Sequence, residues 1–403
     1  MNENQRSICA KSRRRAETLV SDFCILRLPT SILLEIFLRL PVKAVINCKI
    51  VCKVWYKIIS EPYFINSYLK NPHFSTFLLP MYNREYPSVL QLVCLIEISR
   101  SGEFIRTIIE PKSSDFSQVV LASSAIGSCN GLLCTYLVKS RFEICISNPI
   151  TGDCIALPKL NRPIDEKSSF YMFGFSPSTK NLKVVRIPSI KYIKRKCEIF
   201  TVGIDKNWRS MPNPLTPGSR WSGGIALNGI SHWIFKETGS TSILTFDIEK
   251  EIFGRISHPP NLVLDLETMI VALNDKLCLI DYAVSSETTI WTMQEYAVVN
   301  SWSKCVISHI WFPSSVFSRS LAAVAILPNG DIIFSHDVDK YVIIYSPELH
   351  IWLESEDLDV RKSFTSRILP YTPMFTPLEN AIAGEIDHFS YELLSNELEL
   401  IIK

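Results

Sequence analysis

Several things are missing from this chain, and each absence removes a class of function. No stretch approaches the ~18 uninterrupted apolar residues of a membrane-spanning helix, because the longest apolar runs are broken by Glu35, Arg39 and lysines. The opening residues, MNENQRSICAKSRRRAETLVSDF, lack the apolar core of a secretory signal. No membrane partner is expected. A net charge of +2 provides no global basic field for nucleic acid. There is no P-loop, no dinucleotide-binding glycine fingerprint, no HExxH and no GxSxG. The 12 cysteines show no zinc-type pattern: Cys48 and Cys52 lie four apart, Cys129 and Cys134 five apart, and no second Cys/His pair follows. With no secretory signal, disulfides are not expected. Thiols such as Cys94 and Cys145 sit inside apolar runs and read as small buried hydrophobes. No two of the seven histidines share helical ligand spacing, and no pair of acids stands out. No cofactor and no metal are therefore expected. His232, in HWIF, reads as a hairpin residue packed beside Trp233. The basic run Lys191–Lys196, KYIKRK, reads as a solvated loop or as a site for phosphate, phosphoprotein or nucleic acid.

What is present is mostly core. Hydrophobic residues make up 47% of the chain and charged residues 20%, a balance that supports a packed interior. The length of 403 residues suits one large repeat domain and one small domain. Residues 1–23 read as a flexible tail whose cluster Lys11, Arg13, Arg14 and Arg15 is either a nuclear localisation signal or a solvated basic run.

The stretch Leu28–Tyr68 is apolar almost all round and basic where it is polar. Pro29 suits a helix entry, and Thr30 or Ser31 is expected to cap residues 32–40, ILLEIFLRL. Pro41 should end that helix. A second helical pattern runs from about Lys43 to Ile59, with Lys49, Lys53 and Lys57 on one face and Ile50, Val54 and Ile58 on another, and Pro62 ends it. A unit of ~40 residues seldom buries enough surface to stand alone. Its excess apolar face meets either the rest of the same chain or an apolar partner surface with an acidic rim.

After Asn71–Pro72 the pattern turns to short strands separated by turn residues. Two hairpin signals alternate. One has an aromatic or apolar anchor opening its second strand: Phe104, Ile155, Trp208, Phe253, Trp302 and Trp352, spaced by 51, 53, 45, 49 and 50 residues. The other turns at Asn130, Asn181, Asn228, Asn274 and Asn329, and Asn–Gly supplies the positive φ angles that a tight hairpin requires. About six units of ~50 residues, each with room for four strands, are the signature of propeller blades. Only 14 glycines occur in the chain, which argues against a regular kelch sequence. Residues 386–403 are either a strand closing the ring or a short amphipathic helix.

The opening stretch resembles an F-box. Leu28-Pro29, Ile32-Leu33, Glu35-Ile36, Arg39-Leu40-Pro41-Val42-Lys43, Val51-Cys52-Lys53 and Trp55-Tyr56 fall where that family places them, with Ser31 and Asn47 as departures. The rest of the chain resembles the plant F-box-associated domain, including its S-locus F-box-like relatives, through phrases such as Ser128-Cys129-Asn130-Gly131-Leu132, Asn148-Pro149, Phe173-Gly174-Phe175-Ser176-Pro177, His232-Trp233, Phe246-Asp247 and Glu295-Tyr296. The resemblance implies an α+β protein with a tail over 1–23, a trihelical F-box over 24–70, a mainly antiparallel six-bladed β-propeller over 71–385 and a final segment over 386–403. It also implies a non-catalytic, cytoplasmic or nuclear receptor subunit of a Skp–cullin–F-box ubiquitin ligase. By position, Leu28, Pro29, Ile32, Leu33, Ile36, Leu40, Pro41, Val45, Val51 and Trp55, with Lys49 and Lys53, should form the unit that meets a Skp-type adaptor and, through it, cullin and RING subunits. The β domain would hold an unidentified protein target. Two alternatives stand beside this reading: a pollen receptor for ribonucleases, and a propeller enzyme or glycan binder.

Overall fold

The structure is a computed structural model. It describes residues 28–70, 73–83, 90–99, 104–109, 123–137, 144–158, 170–188, 196–214, 219–237, 239–265, 268–284, 287–308, 321–327, 329–336, 342–349, 351–354, 363–365 and 369–382. The basic tail, residues 191–195 of the basic run and the segment 386–403 lie outside the described residues. The chain divides into two units, Met1–His73 and Phe74–Lys403.

The first unit contains four helices where three were expected: α1 (Thr30–Leu38), α2 (Val42–Lys49), α3 (Lys53–Ser60) and α4 (Pro62–Lys70). The single helix expected over 43–59 is broken at Ile50–Cys52, where Cys52 is extended (φ −159°, ψ 165°). The break lets two short helices fold back on α1, so that the ring of Trp55 meets Phe37 edge-on at 4.9 Å. A straight helix would have kept these rings apart. Pro62 is where α4 begins, the helix position at which a missing N–H costs nothing. The N-cap of α1 is Pro29 rather than Thr30 or Ser31, and its carbonyl accepts the amides of Ile32 and Leu33. Leu33, Phe37, Val42, Val45, Trp55, Ile58, Ile59, Phe64 and Tyr68 fill the interior. The Tyr68 hydroxyl donates to the Leu40 carbonyl at 2.9 Å, tying α4 to the end of α1.

The second unit opens with β1 (Phe74–Asn83), β2 (Leu90–Ser99) and β3 (Phe104–Ile109). The second sheet is β4 (Ser123–Cys129), β5 (Leu132–Leu137), β6 (Ile144–Ser147) and β7 (Cys154–Ala156). The third is β8 (Phe170–Phe175), β9 (Leu182–Ile187), β10 (Cys197–Thr201) and β11 (Arg209–Met211). The fourth is β12 (Arg220–Leu227), β13 (Ile230–Glu237), β14 (Ser240–Asp247) and β15 (Ile252–Ile256). The fifth is β16 (Met269–Leu273), β17 (Lys276–Val284), β18 (Glu287–Met293) and β19 (Trp302–Ser308). The sixth is β20 (Leu321–Ile326), β21 (Ile332–His336), β22 (Val342–Ser346) and β23 (Ile351–Glu354). Two short strands, β24 (Ser363–Thr365) and β25 (Leu369–Pro370), return to pair with β1.

Among the described residues, then, five sheets are four-stranded antiparallel meanders of consecutive strands, in a propeller arrangement. The expectation of six equal units of ~50 residues needs correction at the first sheet. That sheet is a composite of five strands drawn from both ends of the domain. The strands that return to β1 come from 363–370, ahead of the segment 386–403. Neighbouring sheets meet through β4 and β8, β8 and β13, β12 and β16, β16 and β20, β20 and β25, and β25 and β4.

The two hairpin signals map onto this plan. The Asn turns join the first and second strands of each four-stranded sheet, and Asn130, Asn228 and Asn274 take φ of 51°, 50° and 47°. In the third sheet the left-handed residue is Lys180, not Asn181. The turn there is longer, and the Asn181 carbonyl closes it by accepting the Ser176 amide. In the sixth sheet Gly330 takes the positive φ and Asn329 bonds Asp331 through its side chain. Each anchor lies within one residue of the start of an edge strand. Trp208 and Trp302 donate their indole N–H to the carbonyls of Pro158 (2.7 Å) and Ser257 (3.4 Å), just past the last strand of the preceding sheet. A repeat near 50 is thus the length of one sheet plus its connection to the sheet before it.

Strands β6, β9 and β10 are buried on both faces, because each sheet stands between two others. Between the third and fourth sheets the apolar packing is joined by an ion lattice. Lys183 donates through Nζ to the Ile248 carbonyl and to Glu251, each at 2.8 Å. Arg209 reaches Glu251 through both terminal nitrogens (2.8 and 2.7 Å) and Asp205 through Nε (3.0 Å). Hydrogen bonding from Arg209, with support from Lys183, holds the Glu251 carboxyl down at about 2. The unfolded chain therefore takes up the proton first on acidification. The stability this group confers is complete above its ordinary value near 4.5 and is lost as pH falls toward 2. We expect Glu251→Gln to cost about 1–3 kcal/mol at pH 7, since it strips buried Lys183 of its counter-charge. It should also flatten the decline in melting temperature between pH 4.5 and 2. Urea titration at pH 7 and thermal melts across that range check both. An unchanged acid slope would remove Glu251 as its source.

Candidate docking surface

Twelve residues of the first unit were expected to form a docking surface, and the fold divides them. Leu33, Val45 and Trp55 are interior. Leu28, Ile36, Leu40, Pro41 and Lys49 are half-buried, while Pro29, Ile32, Val51 and Lys53 are exposed. The exposed apolar surface is completed by side chains absent from that expectation: Ile50 at 84% exposure, Val54 at 60%, Tyr56 at 57% and Tyr63 at 67%. The break between α2 and α3 explains the miss. Ile50, Val54 and Ile58 share one face of an unbroken helix, but here Ile58 turns inward while Ile50 and Val54 turn out.

Six basic residues lie within 28–70 against two acids, Glu35 and Glu61. Arg39 pairs with Glu35 at 3.0 Å on the exposed side of α1. The Lys49 ammonium lies 5.4 Å from the Tyr56 ring centre, and partial burial lowers its pKa. An aromatic ring, a softened ammonium and exposed β-branched side chains around the α2–α3 link make a surface that favours apolar contact edged by negative charge.

The described residues of the second unit hold few groups suited to catalysis. Among the described residues no group of three or more His, Cys, Asp and Glu could hold a metal ion. The ten described cysteines are free thiols; burial pushes up that of Cys134, and a hydrogen bond with Cys154, together with burial, pushes up that of Cys145. His232 is fully buried in β13, and its Nε2 lies 2.8 Å from the hydroxyl of Tyr296, in the connection between β18 and β19 of the fifth sheet. Burial lowers His232 to about 4, and burial with the nearby Asp247 charge raises Tyr296 to about 12. Both groups are neutral at physiological pH and join two sheets. Among the described residues no helix is long and apolar enough to cross a membrane.

Residues 90–351 match the family described as "F-box associated beta propeller domain", and residues 25–68 match the F-box-like family. The chain is 22% identical over 367 residues to "F-box protein At3g07870" of Arabidopsis thaliana, spanning 80% of this chain and 85% of that one. It is 25% identical over 382 residues to "F-box protein CPR1" of the same plant, spanning 85% and 84%. One chain of a nidogen/laminin complex superposes with a TM-score of 0.45 at 11% identity, covering 73% of this chain and 97% of that one.

The division between interior and surface is itself testable. Trp55→Ala should cost the first unit about 3–5 kcal/mol, whereas Val51→Asp should stay within about 0.5 kcal/mol of the parent. Circular dichroism melts of the two variants distinguish these cases, and equal losses would refute the assignment.

Proposed function

The chain belongs to the plant F-box proteins with a C-terminal F-box-associated β-propeller domain, and from that we propose that it is the substrate-recognition subunit of a Skp–cullin–F-box ubiquitin ligase. The first unit binds the Skp-type adaptor. The propeller holds the protein to be ubiquitinated. The observation that carries this reading is the exposed apolar set Ile32, Ile50, Val51, Val54, Tyr56 and Tyr63 on a unit whose core is already complete without them. Their exposure has a cost that a bound partner removes.

In this reading the adaptor supplies an apolar surface with an acidic rim opposite Lys49, Lys53 and Lys57. Catalysis belongs to the other subunits. This chain contributes proximity by holding a target lysine near an activated ubiquitin. Work in the cytoplasm or nucleus follows from that partnership.

Replacing Ile50, Val51 and Val54 together by Asp should weaken adaptor binding by about 2 kcal/mol or more, ~30-fold in Kd. Affinity purification under proteasome inhibition should then recover target proteins on both parent and variant, with adaptor and cullin on the parent alone. Charge reversal at Lys49, Lys53 and Lys57 should weaken the pairing further at low salt than at high salt. Full adaptor retention by a chain lacking residues 24–68 would end this proposal.

A further inference from the structure

The domain's last described stretch, Tyr371–Ile382, does not join a sheet, yet it is anchored more elaborately than the strands before it. The ring has no covalent continuity between β1 and the returning chain. Its ladder there is short: Met81, Tyr82 and Asn83 face Thr365, Phe364 and Ser363, and Phe77 and Leu78 face Pro370 and Leu369. Beyond it the chain crosses from the first sheet onto the second. The Tyr371 amide donates to the Thr76 carbonyl at 3.0 Å, and its hydroxyl to the Gly131 carbonyl at 3.1 Å. Ser128 donates through Oγ to the Pro370 carbonyl at 2.6 Å. Asn148 donates through Nδ2 to the carbonyls of Met374 (3.1 Å) and Thr376 (2.9 Å), and Asp153 accepts the Leu378 amide at 3.2 Å. Leu378 and Ile382 enter the apolar cluster shared by the second and third sheets.

The second sheet is shaped for this. Asn148 Oδ1 accepts the Ile150 amide, which aims the amide nitrogen outward at the crossing chain. Gly131 has a φ of +79°, and a Cβ there would lie 2.3 Å from Met374 Cβ. The seam being bridged is also the less apolar kind. By strand alternation, Glu97 and Thr107 of the first sheet and Thr135 and Ser147 of the second point into it, all buried. The next seam is filled by Ile146, Ile155, Phe173, Val184 and Phe200.

We propose that Asn148, Asp153 and Gly131 form a peptide-clamping site whose ligand is the chain's own Tyr371–Ile382 segment, a detachable strap whose release opens the ring at the first sheet while the other sheets stay folded. The phrases Ser128–Leu132 and Asn148-Pro149 hold the domain shut rather than contact a target. This goes beyond the ligase reading and does not depend on it.

Hydrogen exchange on the full chain tests it. Asn148→Asp keeps the acceptor for Ile150 and removes both donations to the strap; Asn148→Ala removes all three. In both variants, amides of 371–382 and of β24 and β25 should exchange at least tenfold faster than in the parent. Amides of β17 and of the helical unit should be unchanged. Unaltered protection at 371–382 in either variant overturns the proposal, as does an equal loss in β17, which would mean global unfolding rather than a local lock.

Discussion

No sheet in the second unit can stand alone, because its middle strands are buried on both faces. Strands such as Leu182–Ile187 have no solvent side to give up. Each sheet therefore needs a neighbour on either side, and a row of such sheets has two raw ends unless it curls round to meet itself. Everything distinctive about the domain stems from that demand. Tryptophans reach back to the preceding sheet, Lys183, Arg209 and Glu251 lace two sheets together, and the first sheet borrows strands from the far end of the chain.

The helical unit obeys a different arithmetic. Its four short helices bury a compact interior around Phe37, Trp55 and Phe64, and that interior is complete. The apolar side chains left over are not a failure of packing. They cluster where α2 and α3 are forced apart, since the same break that brings Trp55 onto Phe37 turns Ile50, Val51 and Val54 outward. One backbone irregularity thus settles both the core and the exposed apolar face.

The periodic part of the design was legible in the sequence, because it is local. Asn130-Gly131, Asn228-Gly229 and Asn274-Asp275 declare tight turns through their own backbone preferences, and Trp208, Phe253 and Trp302 recur at about the length of one sheet. The helix break was not legible, because Val51 and Cys52 carry no glycine or proline to mark it. Tertiary packing of Trp55 decides it. The inward or outward sense of the docking residues went with it. The composite first sheet and the strap were invisible for another reason. Asn148 meets Met374 and Thr376 through main-chain carbonyls more than two hundred residues away, and a carbonyl leaves no trace of its partner in the side-chain sequence.

The strand order of the first sheet also sets a timetable. A ribosome adding about 5–20 residues per second needs roughly 15–60 s to pass from Lys70 to Leu369 at that pace. Through most of that interval the helical unit is already outside the tunnel, while β1 waits for the strands that will sit beside it. The nascent protein therefore presents the exposed apolar face of its helical unit well before it owns a finished ring. Until the chain's own late strands arrive, that edge of β1 has no strand from this chain beside it.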